Sequence, residues 1–255
     1  MDMIDRLAAA LQAWHEQVAE PNARLLALRA SDPAAVEFQG LQLDYYLSPP
    51  ASAEQVEALA QRLGWPLPPG LRDCYLRLGG FESYSDGGFT CPCPNEQGER
   101  VDWQAERYDD LFFPAPATWL DLLDPDSPKS GRWAWSGHWH SPGLIDTILF
   151  RWHNDRPEFQ LDGDDPDYPQ LTAANLARIN REYCCFAFGG GSYFFFDRQG
   201  RFGSARYLQD EFSSFYDDHF LPLLTGEAPL GDFDSILAQW IEIAEVGHSP
   251  ETDEV

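Results

Sequence analysis

The stretch Ser52–Gly80, SAEQVEALAQRLGWPLPPGLRDCYLRLGG, constrains the fold more than any other part of this chain. Pro66, Pro68 and Pro69 forbid one continuous helix through it, because each lacks an N–H and fixes φ. What remains is a helix, a proline turn and a second helix. Ser52 stands where an N-cap belongs, its hydroxyl able to accept from an orphan N–H of the first turn. Val56, Leu59, Ala60 and Leu63 recur at helical spacing and form one apolar stripe. Gly64 follows at the position of a left-handed C-cap. Pro68 or Pro69 can open the second helix, where a missing N–H costs nothing. Leu71, Tyr75 and Leu78 give that helix its stripe, and Gly79-Gly80 closes it.

A second organised block lies late in the chain. Cys184–Phe188 and Tyr193–Asp197 are apolar on both faces, which places them centrally in a sheet. Gly189-Gly190-Gly191 between them reads as a hairpin turn that needs φ > 0. It is not a phosphate loop: no Lys-Ser/Thr follows, and it opens into a strand. Ser192 lacks the Gly-x-Ser-x-Gly setting of a nucleophile. Phe202–Tyr207 adds a strand. The helix Leu208–Leu224 follows, with Phe212, Phe215, Tyr216, Phe220 and Leu223 on one side. A last helix, Asp232–Val246, turns Ile236, Leu237, Trp240 and Ile243 inward. At the other end, Ile4, Leu7, Leu11, Trp14 and Val18 predict a helix over 2–19, with a short second helix over 23–29 and a strand around Leu41–Tyr45. This order of elements argues an α+β fold. The expectation is a central twisted, mixed or antiparallel sheet with helices packed on one side, extra N-terminal helices and a long irregular insertion.

Three blocks together carry a resemblance. The first is the helix, Leu63-Gly64-Trp65-Pro66-Leu67-Pro68 and the second helix ending in its glycine pair. The second is Cys184–Asp197 with Gly200, a strand, Gly-rich turn and strand ending in Asp, then Gly. The third is the aromatic amphipathic helix Leu208–Leu224. In this order they resemble the SUKH superfamily, whose bacterial members are mostly immunity proteins against secreted polymorphic toxins. The chain departs from the family in having Leu78 where Asn usually precedes the glycine pair, and in a long insertion between the first two blocks. The resemblance implies a binding module without catalytic residues, whose partner is one cognate protein toxin. It also implies a single domain over 1–246: an extension over 1–50, the signature helices over 52–80, the insertion over 81–170, and core strands and closing helices over 171–246. Residues 247–255 read as a disordered acidic tail.

Charge narrows the partner. The chain has 17 basic and 42 acidic residues, a formal net charge of −25. Phosphates would be repelled, which argues against nucleic acid, and a basic partner is favoured. No apolar run reaches the length of a membrane span. The N-terminus lacks the basic segment and long apolar core of a signal peptide. Five cysteines, with Cys91/Cys93 and Cys184/Cys185 nearly adjacent, suit reduced thiols in a cytoplasm rather than a disulfide framework.

The insertion holds the candidates for contact. Asp86-Gly87-Gly88 signals a tight turn between strands. Pro92 and Pro94 bar the segment around Cys91 and Cys93 from a central strand. Thr118–Leu123 predicts a short helix, Thr147–His153 and Glu158–Leu161 predict two strands, and Ala173–Arg181 predicts a helix. Cys91, Cys93, His138 and His140 are candidate zinc ligands and, with them, a metal-dependent hydrolase is the rival class; a regulatory scaffold without a toxin is a third. A single residue between the cysteines falls short of the usual spacing, so no metal and no cofactor is expected. Asp162, Asp164, Asp165 and Asp167 form an acidic loop that has Ala173 where a calcium loop needs Glu. That loop, with Asp109 and Asp110, is the expected contact surface for a basic toxin; Trp133, Trp135 and Trp139 read first as core packing, and one of them is the candidate aromatic anchor.

Overall fold

Ser52 caps the first of the two signature helices. The computed structural model describes residues 2–16, 44–84, 89–94, 100–105, 111–124, 142–155, 167–206 and 212–246. Ser52 Oγ accepts from Gln55 N–H and Gln55 Oε1 accepts from Ser52 N–H, a complete capping box at the start of α2 (Ala53–Leu63). Gly64 ends α2 at φ 66°. Pro69 opens α3 (Pro69–Arg77), whose Leu71, Cys74 and Tyr75 are buried. Ahead of them lie α1 (residues 3–16) and β1 (Asp44–Ser48). The predicted helix at 23–29 and the residues 17–19 and 41–43 fall outside the described residues.

From α3 the chain enters β2 (Gly80–Tyr84) and then a separate ribbon, β3 (Phe89–Pro94) paired antiparallel with β4 (Arg100–Ala105). The strands around Asp86-Gly87-Gly88 therefore belong to different sheets; those three residues lie outside the described ones. As expected, Pro92 and Pro94 are not in a central strand, since the ribbon has only two. Then come β5 (Leu111–Phe113), α4 (Pro116–Leu122), α5 (Leu144–Asp155), α6 (Ala173–Glu182), β6 (Tyr183–Gly189), β7 (Ser192–Asp197) and β8 (Phe202–Arg206). Helix α7 (Phe212–Phe215) runs through a π-turn, Tyr216–Phe220, into α8 (Leu221–Thr225), and α9 (Phe233–Val246) closes the described chain. Leu221 N–H reaches back five residues to Tyr216 O at the π-turn, just before Pro222, which has no N–H to give.

One expectation fails. Thr147–His153 was predicted as a strand and lies inside helix α5. Leu144, Ile145, Thr147 and Ile148 are buried while Asp146 is exposed, a helical face rather than an alternating one. The reason is tertiary. Asn180 Oδ1 accepts from Ile145 N–H at 3.0 Å and Asp146 N–H at 3.1 Å, capping α5 from another helix. Glu158–Leu161 lies outside the described residues.

The main sheet is antiparallel throughout, in the order β1-β2-β5-β6-β7-β8. The fold is α+β, as expected. β6 and β7 occupy inner positions, joined by Gly190 at φ 54° and Gly191 at φ 72°, a two-residue turn only glycine enters without strain. Helices α2, α3 and α9 cover one side. There Trp240 packs on Phe113 at 4.8 Å and edge-on to Phe194 at 5.7 Å, Tyr75 stacks on Phe113 at 4.7 Å, and Trp65 meets Phe196 at 5.6 Å. Strand alternation turns Phe195 the other way, where Leu223 of α8 and the π-turn add cover on the opposite face. The outer edge of β8 is closed. Phe202 exchanges backbone bonds with Gly231, and Arg206 N–H donates to His219 Nε2 at 3.1 Å.

Candidate functional site

Of the residues predicted to touch a partner, Asp167 is among those described: it is exposed, in the turn that leads into α6. Asp109, Asp110, Trp133, Trp135, Trp139, Asp162, Asp164 and Asp165 lie outside the described residues, as do His138 and His140. Cys91 and Cys93 take backbone positions in β3 opposite Trp103 and Val101. Among the described residues no group of three or more His, Cys, Asp or Glu side chains converges as a metal site would require.

The remaining thiols pack rather than react. Cys74 of α3 and Cys184 and Cys185 of β6 are buried, and burial pushes each thiol well above its usual range, away from the thiolate a nucleophile needs. Tyr75 is likewise pushed up by burial, and its hydroxyl accepts from Trp119 Nε1 at 3.1 Å.

Charge is distributed unevenly. Arg77 is clasped by Asp2, Asp5 and Asp73, which ties α1 to α3. Arg72 pairs with Glu57, Arg178 with Glu182 and Arg201 with Asp197. Past Arg206 there is no Lys or Arg at all. The exposed Asp217, Asp218, Glu227, Asp232, Asp234, Glu242 and Glu245 thus have no basic partner among the described residues. His219, half-buried, does not compensate them: burial pulls its imidazole below its usual range against the opposing pull of Asp218. The C-terminal helices therefore present a field of one sign. Sequence reasoning missed it, although the absence of Lys and Arg after position 206 is a visible signal. Between β8 and the π-turn, Phe195, Ser204, Asp218, His219 and Leu223 line a cleft of about 10 Å³, room for one water rather than a substrate.

The proline turn after α2 meets the β7–β8 turn. The Arg198 guanidinium lies 3.4 Å over the Trp65 ring, its Nε–H donates to Arg181 O at 2.9 Å and its Nη1 to Gly64 O at 3.4 Å. A Cβ added to Gly200 would sit 3.5 Å from Pro68. Asp197 locks this turn: it is 4% exposed and accepts from Gln199 N–H, Arg201 N–H and the Arg201 guanidinium.

Compared with protein families, residues 50–219 match the SMI1 / KNR4 family (SUKH-1). The chain belongs to this family. Comparison with curated proteins and with solved structures gives no match. The SUKH-1 region spans the first two signature blocks and ends within the third, in the π-turn. The contact of the first two through Trp65, Arg198 and Pro68 shows why segments so distant in sequence belong to one unit. Helices α1 and α9 lie outside the matched region, yet Trp14 and Trp240 are fully buried in the shared core.

Proposed function

We propose that this SUKH-1 protein is an immunity protein: it binds one cognate secreted toxin in the cytoplasm and neutralises it by occlusion, without catalysis of its own. Family membership over residues 50–219 carries this reading. The charge of −25 favours a toxin with a basic face. A nuclease fits, because a nuclease cleft must neutralise phosphate. Opposite fields would steer the two together. The proposed contacts are Asp109, Asp110, Asp162, Asp164, Asp165 and Asp167, with Trp133, Trp135 or Trp139 as anchor. The exposed carboxylates of the C-terminal helices likewise favour a basic partner. No helix among the described residues is long and apolar enough to cross a membrane.

The test is co-purification with the product of the adjacent gene. A stable complex is expected. Reversing the charge of Asp162, Asp164, Asp165 and Asp167 should slow association about tenfold at low salt and flatten its salt dependence. Unchanged association would remove this loop from the interface, and absence of any complex would count against the immunity reading.

A further inference from the structure

We propose that Arg198, stacked on Trp65 and held by Arg181 O and Gly64 O, is a contact point that receives a carboxylate from an acidic segment of a protein partner. Acidic residues outnumber basic ones 42 to 17, so a surface arginine here has carboxylates in abundance. Arg72, Arg77, Arg178 and Arg201 each hold one. Arg198 and Arg181 are both exposed and, like Arg6, Arg62 and Arg206, pair with no carboxylate among the described residues; Arg198 differs from them in lying over an aromatic ring. Arg198 is nonetheless fixed in place by the Trp65 face, Arg181 O and Gly64 O. Those two carbonyls engage two of its five N–H donors, and the other three meet no protein acceptor among the described residues.

A guanidinium held on an aromatic face has already lost much of its rotamer freedom, so an incoming group meets a pre-organised fork. That fork matches a carboxylate in two parallel hydrogen bonds. Arg and Trp are also the residues most enriched where interfaces concentrate their binding energy. Arg181, whose backbone O accepts from Arg198, is itself exposed in the last turn of α6. The net charge of −25 repels an extended polyanion such as nucleic acid, so the occupant is a short acidic segment on a protein that is otherwise neutral or basic. The inference does not depend on the toxin reading, because its test uses no toxin.

The full-length protein is labelled with 15N-arginine, and sodium acetate replaces sodium chloride at constant ionic strength. The Arg198 Nε–H signal is expected to shift saturably. Arg181→Gln should weaken that response about threefold, the order of one exposed charge contact. A short peptide carrying one glutamate between neutral residues should compete with acetate for the same signal. An unmoved Arg198 signal overturns the proposal, as does a drift linear in acetate and equal at every arginine. If Arg198→Gln lowers thermal stability while acetate leaves the native signal in place, the residue is a brace alone and the proposal fails.

Discussion

Asp197 shows how much one buried carboxylate can hold. Its Oδ1 accepts from Gln199 N–H at 2.9 Å and Arg201 N–H at 2.8 Å, and its Oδ2 from Arg201 Nε at 2.8 Å. Asp197→Asn replaces one of these acceptors with an NH₂ that faces either a guanidinium or two backbone donors. We expect a loss of about 2 kcal/mol, the range for hydrogen bonds to a charged group. Urea unfolding checks this, and an unchanged midpoint would show that the turn does not need the charge. At this scale the sequence was legible wherever the partner is local. Ser52 and Gln55 cap within three residues, and Gly64, Gly190 and Gly191 take the positive φ their positions predicted. Arg198 was not legible, because its partner Gly64 is 134 residues away and no local pattern announces a cation over Trp65.

Helix α5 carries the same lesson at the scale of an element. Its β-branched, apolar sequence reads as a strand in isolation, and α5 is set by a cap that arrives from α6. Asn180 accepts from Ile145 and Asp146 N–H through Oδ1 and donates through Nδ2 to Asp146 Oδ1 at 2.6 Å. Asn180→Asp keeps the acceptor and turns the donor into a second negative charge against Asp146. We expect a loss of about 1–3 kcal/mol, from the lost bond and the added repulsion. Asn180→Asp, Asp146→Asn together should recover much of it. If the single variant melts with the native protein, the trans-cap is not what holds α5. Helix α1 offers a pH-dependent counterpart. Arg77 holds the Asp2 carboxyl at about 2 in the folded chain, below its ordinary 3.8. A depressed carboxylate stabilises above its unfolded value and loses that contribution as pH falls through the folded one. The stability difference between native protein and Asp2→Asn should therefore be full above about pH 4 and vanish towards pH 2. A difference that stays constant down to pH 2 would show that the clasp does not tie α1 to α3.

For the whole molecule, the late strands, the helical termini and the order of the three signature blocks were readable from apolar periodicity and proline and glycine placement. The α+β class followed from them. The SUKH-1 region is only part of the packed unit, since Trp14 from α1 and Trp240 from α9 fill its core from outside residues 50–219. The candidate surface was less readable. A binding face has no obligatory period or spacing, and net charge speaks to association rather than to position. Asp167 is exposed, and a run of exposed carboxylates without any Lys or Arg in the same stretch of sequence lies on the C-terminal helices, beyond Arg206. The central claim is protection, and growth measures it most directly. The toxin encoded beside this gene is expressed in cells with and without this protein, at matched levels. The account predicts that cells arrest without it and grow with it, and that protection weakens when Asp162, Asp164, Asp165 and Asp167 are charge-reversed. Arrest that continues unchanged in its presence would contradict the account.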